Sequence, residues 1–281
     1  MEQQNTEACE SRTKNPSSLV VARPNISWKR HAQNLLSPPT CIACQDLISD
    51  HCEVLVCQDC RSNICRPELS CFCHGCGAWL RRDLAAVDEC RYCQPVDMPF
   101  SSVVSIANYS GLMNQLVVKM KSRTGQNTAI QMGNWLATAL NAHWRQLGIQ
   151  IDLVTPMPIH WMRRWSRGFN VASLLAESVC QFDRLQRKSG LSLIDHRKPV
   201  RLLRLNRKTR KQGTLTLNQR FQNVKGCFQF SGKHDIDSKS ILLVDDVMTS
   251  GATAVEAART LLQAGAGQVH LALVARGIGQ Q

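Results

Sequence analysis

Four Cys-x-x-Cys pairs stand in a row: Cys41/Cys44, Cys57/Cys60, Cys73/Cys76 and Cys90/Cys93, separated by twelve, twelve and thirteen residues. A Cys-x-x-Cys turn presents two thiolates to one ion, and two such knuckles complete a tetrahedral four-thiolate site suited to Zn²⁺. One pair alone is a weak signal, because redox motifs share the spacing. Four at near-equal spacing predict two structural zinc ions in a double ribbon. Pairing the first knuckle with the second and the third with the fourth closes the shorter loops; interleaved pairing stays open. Cys9, Cys52, Cys65, Cys71, His51 and His74 are left over as bystanders. Eight thiolate ligands describe closed sites rather than hydrolytic ones, and the metal supplies the fold of a segment too small for its own core.

The surroundings of the pairs divide the chain. Residues 1–39 are polar, end in Ser37-Pro38-Pro39, and read as a disordered leader. Residues 40–97 form the double ribbon. From 98 to 281 apolar strand and helix patterns alternate: strands at 102–107, 151–155, 241–244 and 269–275, helices at 111–121, 130–147, 170–182 and 252–264. That alternation predicts an α/β domain, a mostly parallel sheet with helices on both faces. No apolar run approaches the roughly 18 residues that span a bilayer. The first residues carry no secretory pattern. The expected compartment is the cytoplasm, where thiols stay reduced and clustered cysteines read as metal ligands.

Charge is uneven. The formal net charge is +13, and between His196 and His234 stand eleven Lys or Arg and no Asp or Glu. Such a run predicts an anionic partner, a polyphosphate or nucleic acid; a solvated loop accounts for it equally well.

The most specific chemistry lies at Ile241-Leu242-Leu243-Val244-Asp245-Asp246-Val247-Met248-Thr249-Ser250-Gly251-Ala252-Thr253. Four apolar residues make a buried strand. Two carboxylates emerge at its carboxyl end, where open α/β sheets place ligands. A hydroxyl-rich turn follows and a helix begins at once, so the N–H groups of 249–253 point at an anion with the helix dipole behind them. Phosphate in the loop and ribose hydroxyls on the carboxylates suit a sugar phosphate. Apolar residues before Asp-Asp also resemble a Walker B strand, but no G-x-x-x-x-G-K-[ST] accompanies it.

This segment resembles the phosphoribosyl pyrophosphate (PRPP) signature of type I phosphoribosyltransferases. Over roughly 41–276 the chain resembles one branch, the ComF/GntX family of competence-associated proteins. The shared features are the cysteine pairs, Thr155-Pro156-Met157-Pro158, the block Arg163-Arg164-Trp165-Ser166-Arg167-Gly168-Phe169-Asn170, the block Arg207-Lys208-Thr209-Arg210-Lys211-Gln212 with Arg220 and Asn223 downstream, and the Asp-Asp loop. Val171 stands where such proteins often have Gln.

The resemblance implies roles. Thr249, Ser250, Gly251, Ala252 and Thr253 hold the 5′-phosphate. Asp245 and Asp246 face the ribose, directly or through Mg²⁺. The turn after 151–155 approaches pyrophosphate. Arg163, Arg164 and Arg167, with Lys208, Thr209 and Gln212 of a mobile hood at about 196–212, are pyrophosphate or nucleic-acid candidates. No catalytic base stands out and no acceptor is legible. Two functions follow. One is a PRPP-binding protein acting with single-stranded DNA, and with DNA-uptake or DNA-processing proteins, in natural transformation. The other is an active phosphoribosyltransferase using PRPP. Trp161, Trp165 and Phe169 lie among arginines, where stacking on single strands and core packing compete.

Overall fold

The computed structural model describes residues 40–48, 56–64, 70–81, 90, 92–93, 97–160, 165–207, 209–210 and 215–278. The expected leader lies outside them. Two compact units emerge, Met1–Cys71 with Leu80–Ala86, and Phe72–Trp79 with Val87–Gln281. The smaller contains the first cysteine quartet and helix α1 (Gln58–Ile64), which starts on the second knuckle. Strands β1 (Ser70–Phe72) and β2 (Trp79–Arg81) pair as a two-stranded sheet.

The larger unit runs β3 (Ser102–Asn108), α2 (Gly111–Met120), α3 (Gln126–Leu147), β4 (Leu153–Pro156), α4 (Val171–Gln186), β5 (Leu203–Leu205), α5 (Leu217–Val224), β6 (Phe228–Phe230), β7 (Ser240–Met248), α6 (Ala252–Gln263) and β8 (Gln268–Arg276). The main sheet has the order β3-β8-β7-β4, and every pair is parallel. Parallel strands covered on both faces read as continuous apolar runs. The run Ile241, Leu242, Leu243 and Val244 is fully buried for that reason.

Alternation along the strands separates two cores. Ile241, Leu243, Val269, Leu271 and Leu273 pack with Ala254, Ala257, Ala258 and Leu261 of α6. On the opposite face His270 meets Trp144 of α3 edge-on, with ring centroids 5.8 Å apart. Helices α3 and α4 pack on each other and on that face. The fold is therefore the expected one: a phosphoribosyltransferase-like parallel sheet with helices on both faces, preceded by cysteine-ligand modules.

Three details differ from the sequence reading. Helix α3 begins at Gln126, not 130, because its first turn, Gln126-Asn127-Thr128, is polar and carries no apolar period. Strand β7 continues through both aspartates to Met248, because its neighbour β8 keeps pairing with it as far as Arg276. The basic run is not one loop. Val200, Leu202 and Leu203 are buried, and β5 pairs antiparallel with β6. Helix α5 is closed by a capping box, Thr216 accepting from the Gln219 amide and the Gln219 side chain accepting from the Thr216 amide. No helix among the described residues is long and apolar enough to cross a membrane.

Candidate functional site

The carboxyl ends of β4 and β7 open into a cavity of about 640 Å³. Its floor is Asp245, Asp246 and the loop Thr249, Ser250, Gly251, Ala252 and Thr253, so all seven residues expected to hold a sugar phosphate lie together. Gly251 has φ +82, a left-handed conformation that L side chains rarely adopt; it turns the chain from β7 into α6. The Ser250 hydroxyl accepts from the Ala252 amide at 3.5 Å.

The two carboxylates differ. Burial first, then the charge of Asp246, pushes Asp245 up to about 7, against the pull of the Asp246 amide and of Lys121. That amide donates to Asp245 Oδ1 at 2.8 Å. Lys121, at the end of α2, places its ammonium 3.0 Å from Asp246 Oδ2 and lines the same cavity. Sequence reasoning missed Lys121. It lies about 125 residues from its partner in an ordinary amphipathic helix, and only the parallel sheet brings the two together.

The turn after β4 is fixed from two sides. The Met157 amide donates to the Val244 carbonyl at 2.8 Å, and the Asn170 side-chain amide donates to the Met157 carbonyl at 3.0 Å. Asn170 also caps α4, accepting from the Ala172 amide. Thr155 is fully buried, and its hydroxyl accepts from the Leu202 amide at 3.2 Å, tying the start of the basic run to β4. Arg167, Thr209, Arg207 and Arg210 also line the cavity. Asn223 clamps the Arg210 backbone by two 3.0 Å hydrogen bonds, and Arg207 donates to the Lys225 carbonyl. Of the pyrophosphate candidates named from the sequence, Arg167 and Thr209 line the cavity; Arg163, Arg164, Lys208 and Gln212 lie outside the described residues. Among the three aromatics, Trp165 is 86% exposed, Phe169 is buried, and Trp161 lies outside the described residues.

The cysteines form two quartets, Cys41/Cys44/Cys57/Cys60 and Cys73/Cys76/Cys90/Cys93, with the sulfurs of each within 4.8 Å of one another. This is the sequential pairing. Sulfurs of facing knuckles stand 3.7 Å apart for Cys44 and Cys57, 3.5 Å for Cys73 and Cys93, and 3.7 Å for Cys76 and Cys90. Tetrahedral Zn²⁺ with Zn–S bonds of about 2.3 Å spaces its sulfurs by about 3.8 Å, so both quartets fit the ion. Burial pushes the Cys41 thiol up, but the amides of Cys44, Cys57 and Ala43 outweigh it and bring it down to about 6. The Cys76 thiol, against burial, holds Cys73 down at about 4.

The second quartet belongs to the same compact unit as the sheet. Its first knuckle is stitched onto β3. The Val103 amide donates to the His74 carbonyl at 2.8 Å, the Ser105 hydroxyl to the Gly77 carbonyl at 2.6 Å, and the Trp79 indole to the Ser105 carbonyl at 3.1 Å. Gly77 has φ +73, and a Cβ there would meet Val103 Cγ1 at 2.9 Å, so only glycine lets the knuckle lie this close.

A cavity at the carboxyl ends of a parallel sheet, lined by an Asp pair and a hydroxyl-rich loop, stands in one chain with two four-cysteine groups that could hold zinc. Residues 166–281 match the phosphoribosyl transferase domain family. The chain is 26% identical over 183 residues to DNA utilization protein YhgH of Escherichia coli K12, covering 65% of this chain and 75% of that one. It is 23% identical over 234 residues to Competence protein F of Haemophilus influenzae, covering 78% and 96%. A Trypanosoma cruzi hypoxanthine phosphoribosyl transferase structure aligns with TM-score 0.28 and 8% identity over 53% of this chain and 64% of that one, too slight a likeness to argue from. The named relatives and the matched domain together support the ComF family as the family of this chain.

Proposed function

We propose that the chain is a ComF-type protein that binds PRPP in the β4–β7 cavity and acts with single-stranded DNA during DNA uptake, in the cytoplasm. The observation that carries this reading is one cavity lined both by an Asp pair with the loop at 249–253 and by the basic residues Lys121, Arg167, Arg207 and Arg210. The loop amides and α6 take the 5′-phosphate. Asp245 and Asp246 take the ribose hydroxyls, directly or with Mg²⁺. Lys121, Arg167, Arg207 and Arg210 offset the pyrophosphate charge. The domain match supports PRPP as the ligand, and the names of the relatives support DNA as the context.

Single-stranded DNA fits the surface beside the cavity. Trp165 is exposed two residues from Arg167, the combination of aromatic face and cation on which unpaired bases stack. DNA-uptake and DNA-processing proteins are the partners this role calls for. The deciding experiment applies labelled PRPP and short single-stranded DNA to one preparation and follows pyrophosphate. Binding of both without pyrophosphate release is expected. Release on addition of an acceptor would instead favour transfer chemistry, and failure of PRPP to bind would end the proposal.

A further inference from the structure

Arg276 ends β8 and is 3% exposed. Its guanidinium donates to four main-chain carbonyls: Cys76 at 3.1 Å, Met248 at 3.0 Å, Gly277 at 2.5 Å, and Thr249. One of these belongs to a knuckle of the second cysteine quartet, and two belong to the entry of the phosphate loop. A buried cation held by carbonyl dipoles is tolerated only while those dipoles stay in place, and withdrawing one leaves part of the charge uncompensated.

The carbonyls it holds matter to the loop. A trans peptide is planar, and its N–H points opposite to its C=O. Drawing the Met248 and Thr249 carbonyls toward Arg276 turns the Thr249 and Ser250 N–H groups the other way, and both residues line the cavity. The Gly277 amide adds a 2.7 Å bond to the Met248 carbonyl, so the loop entry is gripped from the β8 end. At the other end of the guanidinium, the Cys76 carbonyl is placed by the knuckle turn. That turn is closed by the bonds from the Gly77 amide to the Cys73 carbonyl and from the Cys73 amide to the Ala78 carbonyl. Metal on the four sulfurs is what locks such a turn.

We infer that Arg276 is a positioning residue that links the second cysteine quartet to the phosphate loop, so that metal at Cys73/Cys76/Cys90/Cys93, and not at the first quartet, sets the affinity of the cavity for its phosphorylated ligand. The inference deepens the PRPP reading and rests on it for the identity of the ligand. The coupling is reciprocal: PRPP raises zinc affinity at the second quartet by the factor by which zinc raises PRPP affinity.

The test uses the full chain with two readouts, PRPP affinity by calorimetry and amide exchange of the loop at 248–254 without PRPP. Cys90→Ser with Cys93→Ser is expected to speed loop exchange and weaken PRPP binding about tenfold, within the usual range of coupling between sites. Cys44→Ser with Cys57→Ser is expected to do neither. In an Arg276→Gln background the second-quartet substitutions should add no further loss. Equal effects from the two quartets, or losses that multiply in the Arg276→Gln background, would overturn the inference. If the cysteine variant does not fold, Arg276→Lys decides. That side chain cannot span the four carbonyls, so faster loop exchange is expected at an unchanged zinc content of two per chain, and wild-type exchange would overturn the link. Failure of PRPP to bind the wild-type chain sinks the ligand assignment alone, because loop exchange reports the link without it.

Discussion

The Lys121 ammonium rests 3.0 Å from the Asp246 carboxylate, and both side chains line the same cavity. In the free protein it screens the Asp pair; with PRPP in the cavity, as proposed, it would become a cation for the ligand. Lys121→Met is expected to weaken PRPP binding by about 1.5–3 kcal/mol, the range for a hydrogen bond to a charged group. Calorimetry checks this, and unchanged affinity would remove Lys121 from the site.

The second prediction concerns pH. Asp245 has its carboxyl pushed up to about 7 by burial and by Asp246, and it must be ionised to accept ribose hydroxyls or hold Mg²⁺. PRPP binding should therefore strengthen as pH rises from 6 to 8, and fall by about tenfold per pH unit well below 7. Stability of the ligand-free chain runs the other way. Between about 4 and about 7 the folded chain keeps a proton that the unfolded chain has lost, so stability falls as pH rises through that window. Asp245→Asn with Asp246→Asn should flatten that slope, leave the chain folded, and abolish tight PRPP binding. A folded double variant with wild-type affinity would show that the sugar is held elsewhere.

His270 gives an acid limb of opposite sign. It is buried, bonded to the Ser102 hydroxyl at 2.8 Å, and burial pushes it down to about 4. The unfolded chain takes up a proton near pH 6.5 and the folded chain does not. Stability is full above that pH and is lost as pH falls toward 4, by up to about 3 kcal/mol. Urea unfolding at pH 7 and pH 5 measures the loss. Because Asp245 acts in the opposite sense over the same interval, the His270 share is read from the variant: a His270→Gln chain should be more stable at pH 5 relative to pH 7 than the wild type, and an equal change in both chains would place the acid sensitivity elsewhere.

Zinc content should be two per chain in protein purified without chelator. Serine at one cysteine of either quartet should lower it to about one. Metal analysis reads this directly, and a folded chain with none would contradict the geometry of both quartets.

DNA binding should be sequence-independent and salt-sensitive. The logarithm of the binding constant should fall with the logarithm of salt by about 0.7 per phosphate contacted on a single strand. Neutralising Arg197, Lys198, Arg201, Arg204, Arg207, Lys208, Arg210 and Lys211 should remove about three contacts and flatten the slope by about 2. Trp165→Ala should cost about 1–3 kcal/mol per stacked base without changing the slope. If the neutralised chain loses PRPP affinity but keeps its DNA affinity and slope, the basic run serves the small ligand alone.

What the sequence carried was local in character. The knuckle spacing led to both quartets. The run from Ile241 to Thr253 led to a strand, an acid pair and a loop, because each link there joins neighbours in the chain. Lys121, Arg276 and the anchoring of Leu202 by Thr155 were illegible for the converse reason. Each acts through a partner many residues away, and each stands in a stretch whose apolar period already has an ordinary explanation. The basic run misled through its charge: Val200, Leu202 and Leu203 are spaced among arginines and lysines, and the surrounding polarity hid a buried segment.

Strand β3 is the outermost in the order β3-β8-β7-β4, and its free side is occupied by the knuckle of Cys73 and Cys76. A bare outer strand offers unpaired amides and carbonyls as a template for another chain. The His74 carbonyl and the Trp79 indole take up the Val103 amide and the Ser105 carbonyl, so an ion that locks the knuckle would also keep the sheet from growing. Chelated protein should therefore self-associate through β3, with light scattering rising as zinc is withdrawn and Val103→Pro, which removes the exposed donor, suppressing the rise. Zinc starvation of a cell would then remove this protein by aggregation as well as by loss of ligand.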